Sequence, residues 1–268
     1  MSIKRPLNYY GGKEKMSSIL LSRIPPHITY VEAMAGGASL FFYKNQSPVE
    51  VINDINGSIA NFYIQYKENF DALNKMIQNT LHDEWTYNKA RIIYKANPKS
   101  YSKIRRAWAV WVGANMSFGG SLFDGSFQIT SNSNDSCHPG IRTYNKKNQF
   151  HKGSIMNRLE RTMILSKDVI EVIKKYNNPD TFIYLDPPYF QANQGHYKGY
   201  TEDSFRNLLD ACDESQSKIM ISCYDHPVIN EYNFHIEKFQ MNLGVKNGFK
   251  KIECLLTNYD LPQTNLFS

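Results

Sequence analysis

Phe182-Ile183-Tyr184-Leu185-Asp186-Pro187-Pro188-Tyr189 is the stretch that decides the fold. Its first four residues form a short unbroken apolar run, the pattern of a strand buried on both faces. The prolines end it, because each fixes φ and lacks a backbone donor. Asp186 therefore leaves the carboxyl end of a buried strand, the edge at which open α/β sheets bind ligands. It brings two acceptor oxygens. Pro187 adds a rigid carbonyl, and Tyr189 a flat aromatic face. These groups suit the exocyclic amino group of a base, with one N–H to Asp186, one to Pro187 O and the ring on Tyr189. The plainer alternative is a strand-ending turn with an incidental acid.

Three upstream stretches extend the pattern. Val31-Glu32-Ala33-Met34-Ala35-Gly36-Gly37-Ala38-Ser39-Leu40 places small residues after a strand expected at 29–32, where a ligand can approach the backbone closely. It is not G-x-G-x-x-G, which disfavours a dinucleotide site. A helix through Phe42 and a strand at 50–52 complete a βαβ unit. Asn53-Asp54 ends that strand, with Asp54 18 residues after Gly36, a spacing suited to ribose hydroxyls. An Asx turn is the alternative there. Asn8-Tyr9-Tyr10-Gly11-Gly12-Lys13 sets a cation after a Gly-Gly turn.

The sheet is interrupted. Residues 59–150 read as an insertion, mainly helical, between two parts of one domain, 1–58 and 151–268. Ile64, Phe70, Leu73, Met76 and Ile77 have helical spacing, and 101–112 reads as a helix with Trp108 and Trp111 in its core. The Gly/Ser/Asn-rich stretch 113–140 reads as loops and short hairpins rather than packed core. Helices are expected at 154–165, 168–176 and 204–215, and strands at 181–185, 218–222, 237–243 and 251–256. The last two look antiparallel, so the sheet should be mixed.

Composition narrows the function. The chain has 268 residues, enough to bury a core without staples. No apolar run approaches the ~20 residues of a membrane span, and the N-terminus lacks the apolar segment of a secretory signal. Cys137, Cys212, Cys223 and Cys254 form no C-x-x-C pair, which fits a reducing cytoplasm and argues against a zinc site; no metal is expected. The net charge is +6, and residues 84–161 hold 13 Lys and Arg against 4 Asp and Glu. All of the excess positive charge thus sits in one central block, which points to nucleic acid. A solvated helix face is the alternative.

The order of these motifs resembles the Dam-type (D12 class, alpha group) DNA adenine-N6 methyltransferases over nearly the whole chain. Tyr10–Lys13, Val31–Phe42, Asn53-Asp54, Ser117–Gly120, Arg158-Leu159 with Asp168, Tyr184–Tyr189 and Thr257-Asn258-Tyr259 carry the resemblance. It implies a Rossmann-like α/β fold with a mixed, mostly parallel sheet and an inserted target-recognition domain. It implies transfer of a methyl group from S-adenosylmethionine to N6 of an adenine flipped out of double-stranded DNA. Tyr9, Lys13, Ala35, Gly36, Gly37, Asp54, Asp168 and Asp186 would hold the cofactor, with Tyr9 where the family often has Trp. Asp186, Pro187, Pro188 and Tyr189 would hold the adenine.

The basic block supplies candidate DNA contacts: Arg105, Arg106, Arg142, Lys146 and Lys147 for phosphates, with Asn115 and Asn145 among the polar readers. The family's R-Y-N and F-N-V-P-F-G signatures are replaced here by Arg142-Thr143-Tyr144-Asn145 and Leu122–Phe127, so GATC recognition is not implied. The expected partners are double-stranded DNA and, in a restriction–modification setting, a cognate nuclease. A monomer or weak dimer in the cytoplasm is expected. D-P-P-Y turns also serve methyltransferases acting on RNA adenine, cytosine N4 or protein glutamine.

Overall fold

The computed structural model describes residues 4–9, 13, 16–129, 138–189, 199–241 and 251–261. Tyr10-Gly11-Gly12, Cys137 and positions 242–243 of the strand expected at 237–243 lie outside the described residues. In chain order the elements are α1 (Ser17–Ser22), β1 (Thr29–Glu32), α2 (Ser39–Tyr43), β2 (Val49–Asn53), α3 (Gly57–Glu68), α4 (Phe70–Gln78), α5 (Glu84–Lys95), α6 (Lys103–Met116), α7 (Pro139–Asn148), α8 (Gly153–Glu160), β3 (Thr162–Leu165), α9 (Val169–Lys175), β4 (Thr181–Leu185), α10 (Glu202–Asp213), β5 (Lys218–Tyr224), β6 (His235–Met241) and β7 (Lys251–Thr257).

The chain divides into two compact units. One comprises 1–17, 36–46 and 56–166; the other comprises 18–35, 47–55 and 167–268. The stretch expected as an insertion lies wholly within the first unit, which also takes in α2, α8 and β3.

Among the described residues, six of the seven strands lie in the second unit, in the order β2–β1–β4–β5–β7–β6. The first four run parallel, and β7 pairs antiparallel with both β5 and β6, so the sheet is mixed as expected. All five residues of β4 are buried, as a central parallel strand requires. Helix α10 follows from its pattern: Phe205, Leu208, Leu209 and Cys212 form one buried stripe, and Thr201 and Ser204 close a capping box. Asn258 of the Thr257-Asn258-Tyr259 motif is structural. It accepts from Ile219 N at 2.7 Å and donates to Ser217 O at 2.9 Å, fastening the end of β7 to the start of β5.

The first unit is helical around α6, where every residue from Ala107 to Met116 is buried. Trp111 is fully buried and Trp108 donates to Thr80 Oγ1 at 2.8 Å, so both are core, as expected. Two readings are corrected. The stretch 113–140 is not all surface loop: α6 runs on to Met116, and Ser121, Leu122 and Phe123 are buried. The reason is local. Gly113 lacks the Cβ that would stand 2.6 Å from the Phe123 ring, so the loop packs onto the helix there. The helix expected at 154–165 ends at Glu160, and Thr162–Leu165 is strand β3, consistent with its β-branched Thr162 and Ile164.

Candidate active site

β1 is paired with β2 on one side and with β4 on the other. The chain goes from β1 outward to β2 and later returns to β4 on the opposite flank. This reversal is a topological switch point, where such sheets bind ligands beyond their carboxyl ends. Asn53 and Asp54 stand at that end of β2, Ala33 to Ala35 follow β1, and Asp186 follows β4.

Asn53 fixes the turn. Its amide donates to Ala33 O at 2.8 Å and to Lys167 O at 3.0 Å, and accepts from Lys167 N at 2.9 Å. Ala35 N also reaches Asn53 O at 2.8 Å. Asn53 is buried, whereas Asp54 beside it is half-exposed. Asp168 follows this loop and caps α9, accepting from Ile170 N at 2.8 Å.

Asp186 is half-buried at the mouth of the sheet. The Tyr189 phenol donates to Glu253 Oε1 at 2.7 Å and lies 3.2 Å from Asp186 Oδ1. The ring of Tyr189 lies 4.1 Å from that of Tyr224. Burial, then the negative charges of Asp186 and Glu253, hold the Tyr189 phenol well above the usual tyrosine range. Tyr184 is raised the same way, by burial first and Asp186 next. Both phenols therefore stay protonated at neutral pH. A small hollow beside Tyr189 is lined by Pro187, Pro188, Phe205, Cys223, Tyr224 and His226. Glu32 is buried too, and accepts from Tyr30 at 2.7 Å.

Tyr9, Lys13, Gly36 and Gly37 belong to the first unit. Gly36 has φ +47°, and a Cβ there would stand 2.8 Å from the Tyr9 ring. A Cβ on Gly37 would stand 2.9 Å from Tyr9 Cβ. The glycine pair is thus required by its fit to Tyr9. Lys13 is buried.

The candidate DNA contacts separate. Arg105, Arg142 and Asn145 are exposed, and Lys146 is half-exposed. Arg142, Asn145 and Lys146 share one face of α7, at helical spacing. Three others are turned inward. Asn115 is buried and donates to Trp111 O at 2.9 Å within α6. Arg106 donates to Ser58 Oγ at 2.9 Å, and Lys147 to Thr80 O at 3.0 Å. Asn115 and Arg106 thus make hydrogen bonds within the first unit. For Asn115 the reason is that α6 runs on to Met116, beyond the helix expected at 101–112, and carries it into the core.

Residues 9–242 match the family model described as D12 class N6 adenine-specific DNA methyltransferase. The chain belongs to that family. Relatives include the type II methyltransferase M.MjaIII of Methanocaldococcus jannaschii, 23% identical over 87% of this chain and 86% of that protein. The type II methyltransferase M1.LlaDCHI of Lactococcus lactis subsp. cremoris is 24% identical over 93% of each. M.CviBI, a type II methyltransferase of Paramecium bursaria Chlorella virus NC1A, is 25% identical over 70% of this chain and 69% of that protein. The protein is thus an adenine-specific DNA methyltransferase.

In this methyltransferase two residues around Tyr189 escaped sequence reasoning, Tyr224 and Glu253. Glu253 left one signal, a single acid inside the apolar strand Lys251–Thr257. Tyr224 left none, since an aromatic residue ending a strand is ordinary. Among the described residues no helix is long and apolar enough to cross a membrane.

Proposed function

We propose that the methyltransferase holds a flipped-out adenine at Asp186, Pro187 and Tyr189 and methylates its N6 with S-adenosylmethionine. One observation carries this reading: Asp186 leaves the central strand at the switch point, with the Tyr189 ring backed by Tyr224. The donor set at the strand ends fits the cofactor. Asp54 offers a carboxylate to ribose hydroxyls, Ala33 to Ala35 leave room for close approach, and Asp186 offers negative charge to a cation. Tyr9, Lys13, Gly36, Gly37 and Asp168 complete the proposed set. S-adenosylmethionine supplies a methyl group on a positively charged sulfur.

The remaining chemistry is the chain's own. The N6 nitrogen is a poor nucleophile because its lone pair is delocalised into the ring. Asp186 and the Pro187 carbonyl accept its two N–H bonds, which favours a tetrahedral nitrogen with the lone pair directed at the methyl group. Asp186 also opposes the positive charge that develops on that nitrogen as the sulfur–carbon bond breaks, a charge removed when one N–H proton leaves to solvent. This is positioning and electrostatics. Flipping costs a few kcal/mol. Stacking on Tyr189 offsets about 1–3 kcal/mol of that. In this reading Arg105, Arg142 and Lys146 contact phosphates, and Asn145, on the α7 face of Arg142 and Lys146, reads bases. Pairing with a restriction nuclease and action in the cytoplasm fit the same reading.

The test is expression in a host lacking adenine methylation, followed by modification-sensitive sequencing of its DNA. N6-methyladenine in one short motif is expected. Asp186→Ala should lower kcat by at least about 10²–10³-fold with DNA affinity retained. Full activity of that variant refutes the assignment.

A further inference from the structure

Helices α4 and α5 both pack on α6. The three helices line a groove of about 990 Å³. Met76 of α4, Ile93 of α5, and Ile104 and Trp108 of α6 give it an apolar lining. Trp85 and Ile92 line it too, yet they are 72% and 62% exposed. Trp85, Lys89 and Ile92 stand at i, i+4 and i+7 of α5, so they share one face of the helix. The Lys89 ammonium lies 4.9 Å from the centre of the Trp85 ring. Lys75, Lys89 and Arg105 border the groove, all three exposed, and no Asp or Glu lines it. Among the described residues neither Lys75 nor Lys89 makes an ion pair.

We propose that this groove docks an acidic amphipathic helix of a partner protein, its apolar stripe on Trp85 and Ile92 and its carboxylates on Lys75 and Lys89. Size fits this occupant. A helix about 10 Å across that rises 5.4 Å per turn fills the volume with about two turns. Charge chooses among helices: a basic border without an acid favours acidic flanks and repels basic ones. Trp85 has the character of an interface anchor, since a large aromatic ring left in water gains most when a partner covers it. Duplex DNA is the poorer match, because it presents phosphates outward and has no apolar ridge to fill the lining. Arg105 borders the groove as well, but its assigned partner is phosphate.

The test presents the full-length enzyme with a displayed library of helical peptides. Each carries Leu at i, i+3, i+4 and i+7, and its flanking positions are drawn from Glu, Lys and Gln. Binders enriched in Glu are expected. Fluorescence anisotropy of a selected, labelled peptide then gives its Kd. Trp85→Ala should weaken that peptide about thirtyfold, the loss of a central anchor. The double variant Lys75→Glu/Lys89→Glu should weaken it about tenfold. All three side chains are exposed, so both variants should fold and methylate DNA at the unmodified rate. Selected peptides rich in Lys, or without charge bias, overturn the proposal. So does a peptide that binds both variants as tightly as the unmodified enzyme. If the double variant instead weakens DNA binding and lowers its salt slope, the groove belongs to nucleic acid. If the enzyme self-associates and Trp85→Ala abolishes that, the occupant is a second copy of the chain. Either result also overturns it.

Discussion

Asn53 and Asp54 are neighbours in the sequence but should respond oppositely to truncation. The Asn53 amide makes three hydrogen bonds, at 2.8, 3.0 and 2.9 Å, and the residue is 1% exposed. At about 1 kcal/mol net for each, Asn53→Ala should destabilise the fold by about 3 kcal/mol. Ala33 O would be left buried without this partner, which adds to that figure rather than reducing it. For a domain of this size the loss corresponds to about 6–12 °C in Tm. Asp54→Ala removes a half-exposed side chain, and should cost less stability than Asn53→Ala. Its effect should appear in cofactor affinity, about ten- to a hundredfold weaker, the equivalent of a lost hydrogen bond to a charged group. Thermal melts and calorimetric titration with S-adenosylmethionine separate the two. If Asn53→Ala melts within 2 °C of the unmodified protein, the account of the β1–β2 turn is wrong. If Asp54→Ala binds the cofactor normally, its ribose role is wrong.

Two further perturbations test the first unit. Arg142→Ala should weaken DNA binding about uniformly across sequences and lower the slope of log affinity against log salt by about one; an unchanged slope excludes a phosphate contact there. His82 bonds Thr143 Oγ1 at 2.8 Å and Gln128 O at 3.1 Å, and burial lowers its pKa below 6.5. The fold therefore favours the neutral ring. The stability this contributes is present above pH 6.5 and is lost as pH falls through the depressed value. Melts at pH 7.5 and 5.5 should show a larger acid loss in the unmodified protein than in His82→Asn; equal losses refute it.

Much of the site is legible because its signals are local. A buried run ending in Asp186-Pro187-Pro188-Tyr189 needs only strand periodicity and proline stereochemistry to be placed. Asn53-Asp54 and Gly36-Gly37 are likewise turn signals at strand ends. Strand β1 is where the pattern puts it, at Thr29–Glu32, and β4 at Thr181–Leu185. Helix ends are less legible. Gly113 to Met116 look like loop residues, yet they continue α6, with Gly113 against the Phe123 ring and Asn115 buried. Local propensity is a weak prior, and that tertiary contact overrides it. Arg106 shows the same limit, since a cation in a basic block reads as solvated until Ser58 is seen to accept from it.

The sequence by itself determined the identity of the chemistry. The residue types at the ends of β1, β2 and β4, and the excess charge between them, follow from short-range order along the chain. Only the tertiary structure decided which side chains surround the reacting group. Glu253 and Tyr224 come to Tyr189 through antiparallel pairing of β5 with β7, and no periodicity encodes a partner across strands. Register is set by the packing of the whole sheet, so the residues around Tyr189 became visible only once the strands were paired.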